Sequence, residues 1–210
     1  MFNGLIREIA QVSSFDGRTL KLRAKYRPSL GDSVAVNGAC LSVTKVSASG
    51  FEVELSSESA ALLATENFRG RVHIEPAMRL GERIDGHLMQ GHVDGIGIIE
   101  RVQGLAVGRD FFVRLPRELL PFVATKGSIG VDGVSLTVNE TTKTGVRLTL
   151  IPLSLKDTLF ADYREGRRVN IETDLLARYA ARILGFAGSS NLKNNSDLTW
   201  DEAEFYAKIY

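Results

Sequence analysis

The sequence predicts an all-β protein: two tandem, duplicated antiparallel Greek-key β-barrels of about six strands each, followed by C-terminal α-helices. Three observations support this fold class. The phrase NGACLSVTKV at residues 37–46 returns as DGVSLTVNET at residues 132–141. Apolar and polar residues alternate through both copies, which is the two-residue period of a strand with one buried face. Helical spacing of apolar residues becomes clear only after residue 174.

The duplication extends well beyond this phrase. GRVHIE at 70–75 matches RRVNIE at 167–172, and the opening MFNGLIREIA resembles MQGHVDGIGI, which starts at residue 89. A repeat of roughly ninety residues is far longer than a solenoid unit, so each copy is expected to be a complete domain. The predicted domains are an N-terminal barrel at 1–88, a C-terminal barrel at 89–174 and a helical segment at 175–210.

Each copy should contain a hairpin followed by a third strand. Residues Ser33–Val36 alternate in polarity, Asn37-Gly38 is a strong signal for a two-residue turn, and a second alternating stretch follows. The second copy repeats this pattern around Asp132-Gly133. After the third strand, SAALLATENF and LKDTLFADYR predict short helical or looped crossovers.

The strand after each hairpin turn predicts a polar patch on the barrel surface. Leu41 should face the core because successive side chains on a strand point to opposite faces. Cys40 and Ser42 then face outward, as Ser135 and Thr137 do in the second copy. Such residues can simply form a solvated face, but their repetition at matched positions indicates a duplicated site.

The tail predicts helices that pack against a partner. Asp174 can cap a helix with an apolar face, and Gly185 is expected to end it. The polar linker GSSNLKNNS precedes a last helix at 199–210, which opens with a capping box. Because both barrels are already complete, the apolar faces of these helices favour association into an oligomer.

Composition restricts the classes of partner. The 210 residues are 44% hydrophobic and 24% charged, as in an ordinary globular protein. The 26 Lys and Arg residues nearly balance 25 Asp and Glu, which gives no strong field for nucleic acid or anionic lipid. The sequence has no apolar run long enough for a membrane span and no secretory signal, so we expect a cytoplasmic protein. Cys40 is the only cysteine, which excludes an internal disulfide.

The segment GHLMQGHVDGIGIIE carries two of the three histidines. Their spacing is not that of a helical metal site, and the glycines do not open a helix as a Rossmann phosphate loop would. His92 aligns with Leu5 of the first copy, which leaves a functional and a structural role open. His87 and His73 are predicted to be structural. Cys40 has no evident base among its neighbours, which favours a small half-buried residue over a nucleophile.

Seven motifs follow one another along nearly the whole chain: MFNGLI, GDSVAVNGACLSVT, SSES, GHLMQGHVDG, KGSIGVDGVSLTV, LIPLSL and RRVNIETD. In this order they resemble the riboflavin synthases of the alpha-chain type. The resemblance implies a transferase that catalyses the last step of riboflavin biosynthesis. Two molecules of 6,7-dimethyl-8-ribityllumazine exchange a four-carbon unit and give riboflavin and 5-amino-6-(D-ribitylamino)uracil. Two identical substrates would explain two similar barrels.

The resemblance also implies what the reaction requires. It needs no metal and no redox cofactor, since the conjugated lumazine ring acidifies its own C7 methyl group and delocalises the carbanion. Two substrate molecules bind in each active site, which joins the N-terminal barrel of one subunit to the C-terminal barrel of its neighbour. The C-terminal helix holds a homotrimer, and lumazine synthase is a further candidate partner. Neither nucleic acid nor membrane is an implied partner.

The family's ligand contacts carry over onto matching positions of both copies. The contacts assigned to the N-terminal barrel are Phe2, Gly4, Leu5, Ile6, Cys40, Leu41, Ser42, Glu54, Leu55, Ser56, Ser57, Glu58 and Ser59. The contacts assigned to the C-terminal barrel are Gly91, His92, Val93, Lys126, Ser135, Leu136, Thr137, Ile151, Pro152, Leu153, Ser154, Leu155, Lys156 and Asp174.

The implied catalytic residues are Ser33, Cys40 and His92. Ser33 and His92 would assist deprotonation or hydration, while Cys40 and Phe2 would shape the N-terminal pocket. The second substrate would be oriented by Lys126, Ser135 and Asp174.

The chain departs from the family at three positions. His73 stands where an asparagine is usual, and this change is expected to alter recognition of the ribityl chain. Asn3 and Ser42 each replace a threonine. The alternative function is a non-catalytic lumazine- or flavin-binding antenna protein of the same fold, although the retained catalytic positions favour the enzyme. A nucleic-acid-binding barrel is disfavoured by the balanced charge and by the lack of an aromatic and basic stripe.

Overall fold

In the computed structural model, residues 1–189 are described, with side chains described except at 57, 58 and 185–189. Residues Met1–Arg178 form one compact unit, which contains both copies of the repeat, and a second unit begins at Tyr179. Strands dominate the described chain, as the sequence predicts. No helix among these residues is long and apolar enough to cross a membrane.

The strands of the first copy are β1 Glu8–Phe15, β2 Thr19–Arg23, β3 Ser33–Val36, β4 Ala39–Ser47, β5 Gly50–Glu54 and β6 Arg71–Pro76. They close into a barrel in the order β1-β2-β5-β4-β3-β6. Leu41 on β4 is buried in the core, whereas Cys40 is half-buried and Ser42 is exposed. The predicted polarity of this strand is therefore confirmed.

The strands of the second copy are β7 Gly95–Gly104, β8 Arg109–Arg114, β9 Ser128–Val131, β10 Val134–Thr137, β11 Glu140–Thr141, β12 Gly145–Leu150 and β13 Arg168–Thr173. They form a curled sheet in the order β10-β9-β13-β7-β8-β12-β11. The equivalent of β4 is divided into β10 and β11 because Asn139 interrupts it. Asn139 Oδ1 accepts a hydrogen bond from Thr149 N at 2.7 Å. β10 and β11 are the two outer strands of this sheet. They follow each other in the chain, but no continuous strand joins them.

The crossovers predicted in each copy are short helices, namely the first two α-helices and the 3-10 helices that follow them. The α-helices are α1 Ser57–Leu62, α2 Pro152–Asp157 and α3 Leu175–Ser189, and 3-10 helices span Thr65–Asn67, Arg117–Phe122 and Leu159–Asp162. Asp174 Oδ1 accepts a hydrogen bond from Leu176 N at 2.8 Å, as expected of a helix cap.

The predicted end of α3 at Gly185 is wrong, because the helix continues to Ser189. Glycine within a helix costs only about 1 kcal/mol relative to alanine, so it ends a helix only where the chain also turns. The expected last helix at 199–210 and most of the linker before it lie outside the described residues.

The two hairpin turns pack directly against each other. Asn37-Gly38 and Asp132-Gly133 have φ values of 43° and 84° and of 45° and 81°, which belong to the type I′ turn that the sequence predicts. A Cβ atom on Gly38 would lie 2.7 Å from Gly133 N, and one on Gly133 would lie 2.7 Å from Gly38 N. The two copies therefore meet backbone to backbone, about a local twofold axis.

Candidate functional site

Two short segments cross between the barrels. The Gly91 carbonyl, just before β7, accepts a hydrogen bond from Cys40 N at 2.8 Å, and the Gly4 carbonyl, before β1, accepts one from Ser135 N at 2.8 Å. Both glycines have a left-handed backbone conformation, with φ values of 75° and 74°. A Cβ atom on Gly91 would lie 2.6 Å from Cys40 Cβ, and one on Gly4 would lie 2.5 Å from Ser135 Cβ. Each segment thus covers the polar strand of the opposite copy.

This crossing reverses the predicted grouping of site residues. Residues 4–6 were expected beside Cys40 and residues 91–93 beside Ser135, but the structure exchanges the two segments. Ile6 packs against the core of the second barrel, and Val93 packs against the core of the first. The repeat cannot reveal the exchange, because both segments align equally well whichever barrel they contact.

A pocket of about 200 Å³ opens on the first barrel. It joins one wall from β4, a second from α1 and a third from the crossing segment that belongs to the second copy. Its side chains include Cys40, Leu41, Ser59, Leu62, His92 and Val93. Two of the three predicted catalytic residues, Cys40 and His92, therefore line one pocket. Ser33 is half-buried at the start of β3 and pairs with Ser42 of β4.

Other predicted contacts of the first site lie around α1. Ser56 caps α1 by accepting a hydrogen bond from Ser59 N at 3.0 Å, and Ser57 and Glu58 form its first turn. Glu54 makes an exposed ion pair with Arg18 at 3.2 Å. Leu55 is 3% exposed and belongs to the core of the first barrel, and Phe2 is 1% exposed and belongs to a small cluster against which Cys40 packs.

The second site repeats this arrangement around β10 and α2. Ser135 is half-buried, Thr137 is exposed, and Leu136 joins the barrel core. Ile151 and Leu153 expose apolar surface at the start of α2. The remaining predicted residues from these elements are Pro152, Ser154, Leu155 and Lys156 in α2, and Leu5 and Ile6 in the crossing segment.

Lys126 lies exposed in the loop before β9 and has a left-handed φ of 71°. Its N–H donates to the Val138 carbonyl at 2.7 Å. The first copy has Gly31 at the matching position, with a φ of 85° and an equivalent bond to the Val43 carbonyl at 2.9 Å. A long side chain is thus held in a left-handed backbone conformation that favours glycine.

His87, for which the sequence predicts a structural role, lies beside Ser135 of the second site. Its Nδ1 atom lies 2.7 Å from Ser135 Oγ. Burial lowers the pKa of His87, and the nearby charge of Asp174 opposes this shift. Among the described residues, its Nε2 atom has no hydrogen-bond partner. The repeat could not identify His87, because the first copy offers no residue that aligns with it.

Two buried glutamates, which are not among the residues predicted for the site, fix the crossing segments. Glu172 accepts hydrogen bonds from Gln90 N at 2.6 Å and Gly91 N at 2.9 Å. Glu75 accepts the matching bonds from Asn3 N at 2.7 Å and Gly4 N at 3.0 Å. Burial raises the pKa of each glutamate to about 7, and the backbone N–H groups limit the rise. The sequence signal that could have identified them is the glutamate at the end of both GRVHIE and RRVNIE.

The expectation that His73 alters ribityl recognition is not supported by its position. His73 is 1% exposed and lies between the two copies, with Nδ1 at 2.9 Å from the Asp132 carbonyl oxygen. Its role is in the interface between the barrels. Among the described residues, no three His, Cys, Asp or Glu side chains are arranged to hold a metal ion.

The fold and the two equivalent polar sites define a class of protein, a tandem pair of ligand-binding β-barrels. Residues 3–77 and 90–174 each match the lumazine binding domain family. Riboflavin synthase of Brucella abortus (strain 2308) is 39% identical over 199 residues, covering 87% of this chain and 98% of that protein. Riboflavin synthase of Bacillus subtilis (strain 168) is 34% identical over 193 residues, covering 88% and 90%. The chain belongs to the riboflavin synthase family.

Solved structures support the fold. The crystal structure of LumP complexed with 6,7-dimethyl-8-(1'-D-ribityl) lumazine has a TM-score of 0.71, at 17% identity, and covers 82% of this chain and 99% of LumP. The riboflavin complex of LumP has a TM-score of 0.73 at the same identity and coverage.

Proposed function

We propose that this protein catalyses the riboflavin synthase reaction. It would transfer a four-carbon unit between two molecules of 6,7-dimethyl-8-ribityllumazine and release riboflavin and 5-amino-6-(D-ribitylamino)uracil. The observation that carries the proposal is the pair of equivalent sites, centred on Cys40 and Ser135, each covered by a segment from the other copy. A reaction between two like molecules requires two such sites.

The protein's largest contribution is to hold two ring systems in position for attack, which can lower a barrier by several kcal/mol. The substrate ring stabilises the carbanion formed at its own methyl group, so the side chains need only move protons and orient the rings. Cys40 and His92 contact the first substrate, and Ser33 assists proton transfer or hydration beside them. The second substrate is oriented by Lys126, Ser135 and Asp174.

The complete active site forms between subunits of a homotrimer. Exposed apolar residues at both sites support this assembly: Leu62 at the first is 44% exposed, and Leu153 at the second is 60% exposed. Contact between the two sites of neighbouring subunits would bury these side chains and exclude water. The exposed Leu176 and Ile183 of α3 provide apolar surface for holding the subunits together.

The test is to mix the purified protein with the lumazine and to follow flavin absorbance and release of the uracil product. We expect one riboflavin for every two lumazines consumed, with His92→Gln and Cys40→Ala reducing the rate. Lys143→Ala, an exposed change away from both sites, serves as the control. Absence of flavin from a protein that binds the lumazine would refute the enzymatic function.

A non-catalytic chromophore-binding function is the second candidate, since LumP, a protein of similar fold, is complexed with the lumazine and with riboflavin in its crystal structures. This alternative predicts a stable complex with the lumazine or with riboflavin and no conversion. The same absorbance experiment separates the two functions.

A further inference from the structure

The crossing segment at the first site is held at both ends by groups from the second copy. At one end, Glu172 binds the backbone N–H groups of Gln90 and Gly91. At the other end, Asp94 Oδ2 accepts hydrogen bonds from Thr173 N and Thr173 Oγ1, both at 2.7 Å. Residues 91–93, which run from the first anchor to the residue before Asp94, form a wall of the Cys40 pocket.

Arg178 joins the two ends of this segment. Its Nη1 donates to Asp94 Oδ1 at 2.9 Å, and its Nη2 donates to Gln90 Oε1 at 2.9 Å. Arg178 Nη2 also lies 4.0 Å from Glu172 Oε1. The side chains of Arg178 and Asp94 are only 24% and 16% exposed, so solvent screens their attraction less than that of a surface pair. A planar guanidinium can bridge two acceptors in this way, whereas an ammonium group cannot match its geometry.

The second site lacks this bridge. In the repeat, Asp94 aligns with Arg7, which cannot bind an arginine. Asn3, which aligns with Gln90, instead donates to the Arg83 carbonyl and accepts from Gly86 N, at 2.8 and 2.9 Å. The duplicated fold therefore does not itself require the bridge, because the matching segment is fixed without it.

We propose that Arg178 is a positioning residue for the pocket on the first barrel, which it serves by holding Gln90 and Asp94 so that His92 and Val93 close over Cys40. This proposal rests on the proposed function only for the identity of the ligand. Arg178 lies in the first turn of α3, so displacement of that turn would also release the pocket wall.

Cys40 provides a local readout, because it is the only cysteine of the chain and lies under the crossing segment. We would measure its labelling rate with a small maleimide in the full-length protein. Arg178→Met should raise the rate by about fivefold or more, since losing the bridge favours local opening. Arg178→Lys should give an intermediate rate, because an ammonium group can keep only part of the bridge.

Two controls isolate the effect. Arg23→Met removes an exposed arginine on β2 of the first barrel and should label at the wild-type rate. Val146→Ala weakens the core of the second barrel and should lower the melting temperature without a comparable change in labelling. If Arg178→Met does not fold, Asp94→Asn tests the same ion pair, because it removes the charge that binds Arg178 while the amide oxygen can still accept from Thr173 N and Thr173 Oγ1.

The outcomes separate this inference from the proposed function. If ribityllumazine does not protect Cys40 in the wild-type protein, the assignment of the ligand to this pocket fails, whatever the variants do. Faster labelling in Arg178→Met, with a raised KM for the lumazine, supports the positioning role. Wild-type labelling rates in folded Arg178→Met, or in Asp94→Asn where that variant replaces it, would overturn the role.

Discussion

His73 and Asn170 occupy equivalent positions in the two copies and make equivalent hydrogen bonds, although one side chain is an imidazole and the other an amide. Asn170 Oδ1 accepts from Ala64 N, and its Nδ2 donates to the Asn37 carbonyl, both at 2.8 Å. These bonds tie the last strand of the second copy to the turn and crossover of the first.

The imidazole of His73 makes the corresponding two hydrogen bonds from the first copy to the crossover and turn of the second. Its Nε2 accepts from Leu159 N at 2.7 Å, and its Nδ1 lies 2.9 Å from the Asp132 carbonyl. Both bonds are satisfied only when the proton is on Nδ1, so the interface requires neutral His73. Burial lowers the pKa of His73 to about 4, helped by the charge of Arg167 and opposed by the Asp132 carbonyl.

Replacement of His73 by asparagine should remove a source of acid sensitivity. The folded-state pKa lies below the ordinary value of 6.5, so unfolded chains bind more protons between pH 6.5 and 4. Stability due to neutral His73 is therefore complete above pH 6.5 and is lost as pH falls toward 4, by roughly 3 kcal/mol. Urea unfolding at several pH values should show a smaller acid loss in His73→Asn than in wild type.

The difference between variant and wild type is the measured quantity, because Glu75 and Glu172 titrate with the opposite sign. Because burial raises the pKa of both glutamates to about 7, their protonated forms stabilise the folded protein below pH 4.5. This stabilisation is lost as pH rises through 7. His92→Asn replaces an exposed histidine outside this interface and is the control for loss of an imidazole. Parallel curves for His73→Asn and wild type would contradict the role of neutral His73.

Gly38 is predicted to tolerate substitution poorly, because it packs against the backbone of the other turn. Gly38→Ala would place a methyl group against the backbone of Gly133 and strain a left-handed φ, so we expect a loss of about 3 kcal/mol or more. Gly17→Ala is the matched control, since Gly17 has a φ of 96° and open space around it and should cost only about 1 kcal/mol. Thermal unfolding measures both, and equal losses would argue against close packing of the turns.

Much of the fold could be predicted because the sequence states it twice. The register of the repeat locates both turns, and strand alternation alone assigns Leu41 to the core and Cys40 to the surface. The residue types of the site were accessible for the same reason, since Ser135 aligns two residues beyond a glycine turn as Cys40 does.

The unpredicted contacts of the site join residues that are far apart in sequence. Nothing local to Gly4 indicates that its carbonyl accepts a bond from Ser135, because the two residues are far apart in sequence and the repeat is symmetric. The contacts of His87 with Ser135 and of Arg178 with Asp94 are not repeated in the first copy, so alignment of the halves could not identify them. Pattern within a strand is local, whereas these positions are determined by tertiary packing.

Phe68→Tyr should stabilise the protein, because the first copy lacks a hydrogen bond that the second makes. Tyr163, at the position equivalent to Phe68, donates to Asp132 Oδ2 at 2.6 Å. Asn37, the equivalent of Asp132, has a buried Nδ2 atom with no partner among the described residues. A tyrosine hydroxyl at position 68 would accept from this group and contribute about 1 kcal/mol.

The converse change, Tyr163→Phe, should destabilise the protein by about 1–3 kcal/mol, because it removes a donor from a buried carboxylate. Both values come from denaturant unfolding. Destabilisation by Phe68→Tyr would show that the two copies do not place their aromatic rings equivalently around the turn residue.

Lys126→Gly should separate stability from activity at the second site. Glycine relieves the left-handed strain at this position and should raise the free energy of unfolding by up to about 1 kcal/mol. Loss of the ammonium group should at the same time lower kcat/KM by roughly tenfold or more, if it orients the second substrate through a charged hydrogen bond. Lys126→Met keeps the strain and removes only the charge, so it should match the activity loss without the gain in stability. Denaturant unfolding and steady-state kinetics on both variants test the two effects, and wild-type kinetics in both would exclude Lys126 from the site.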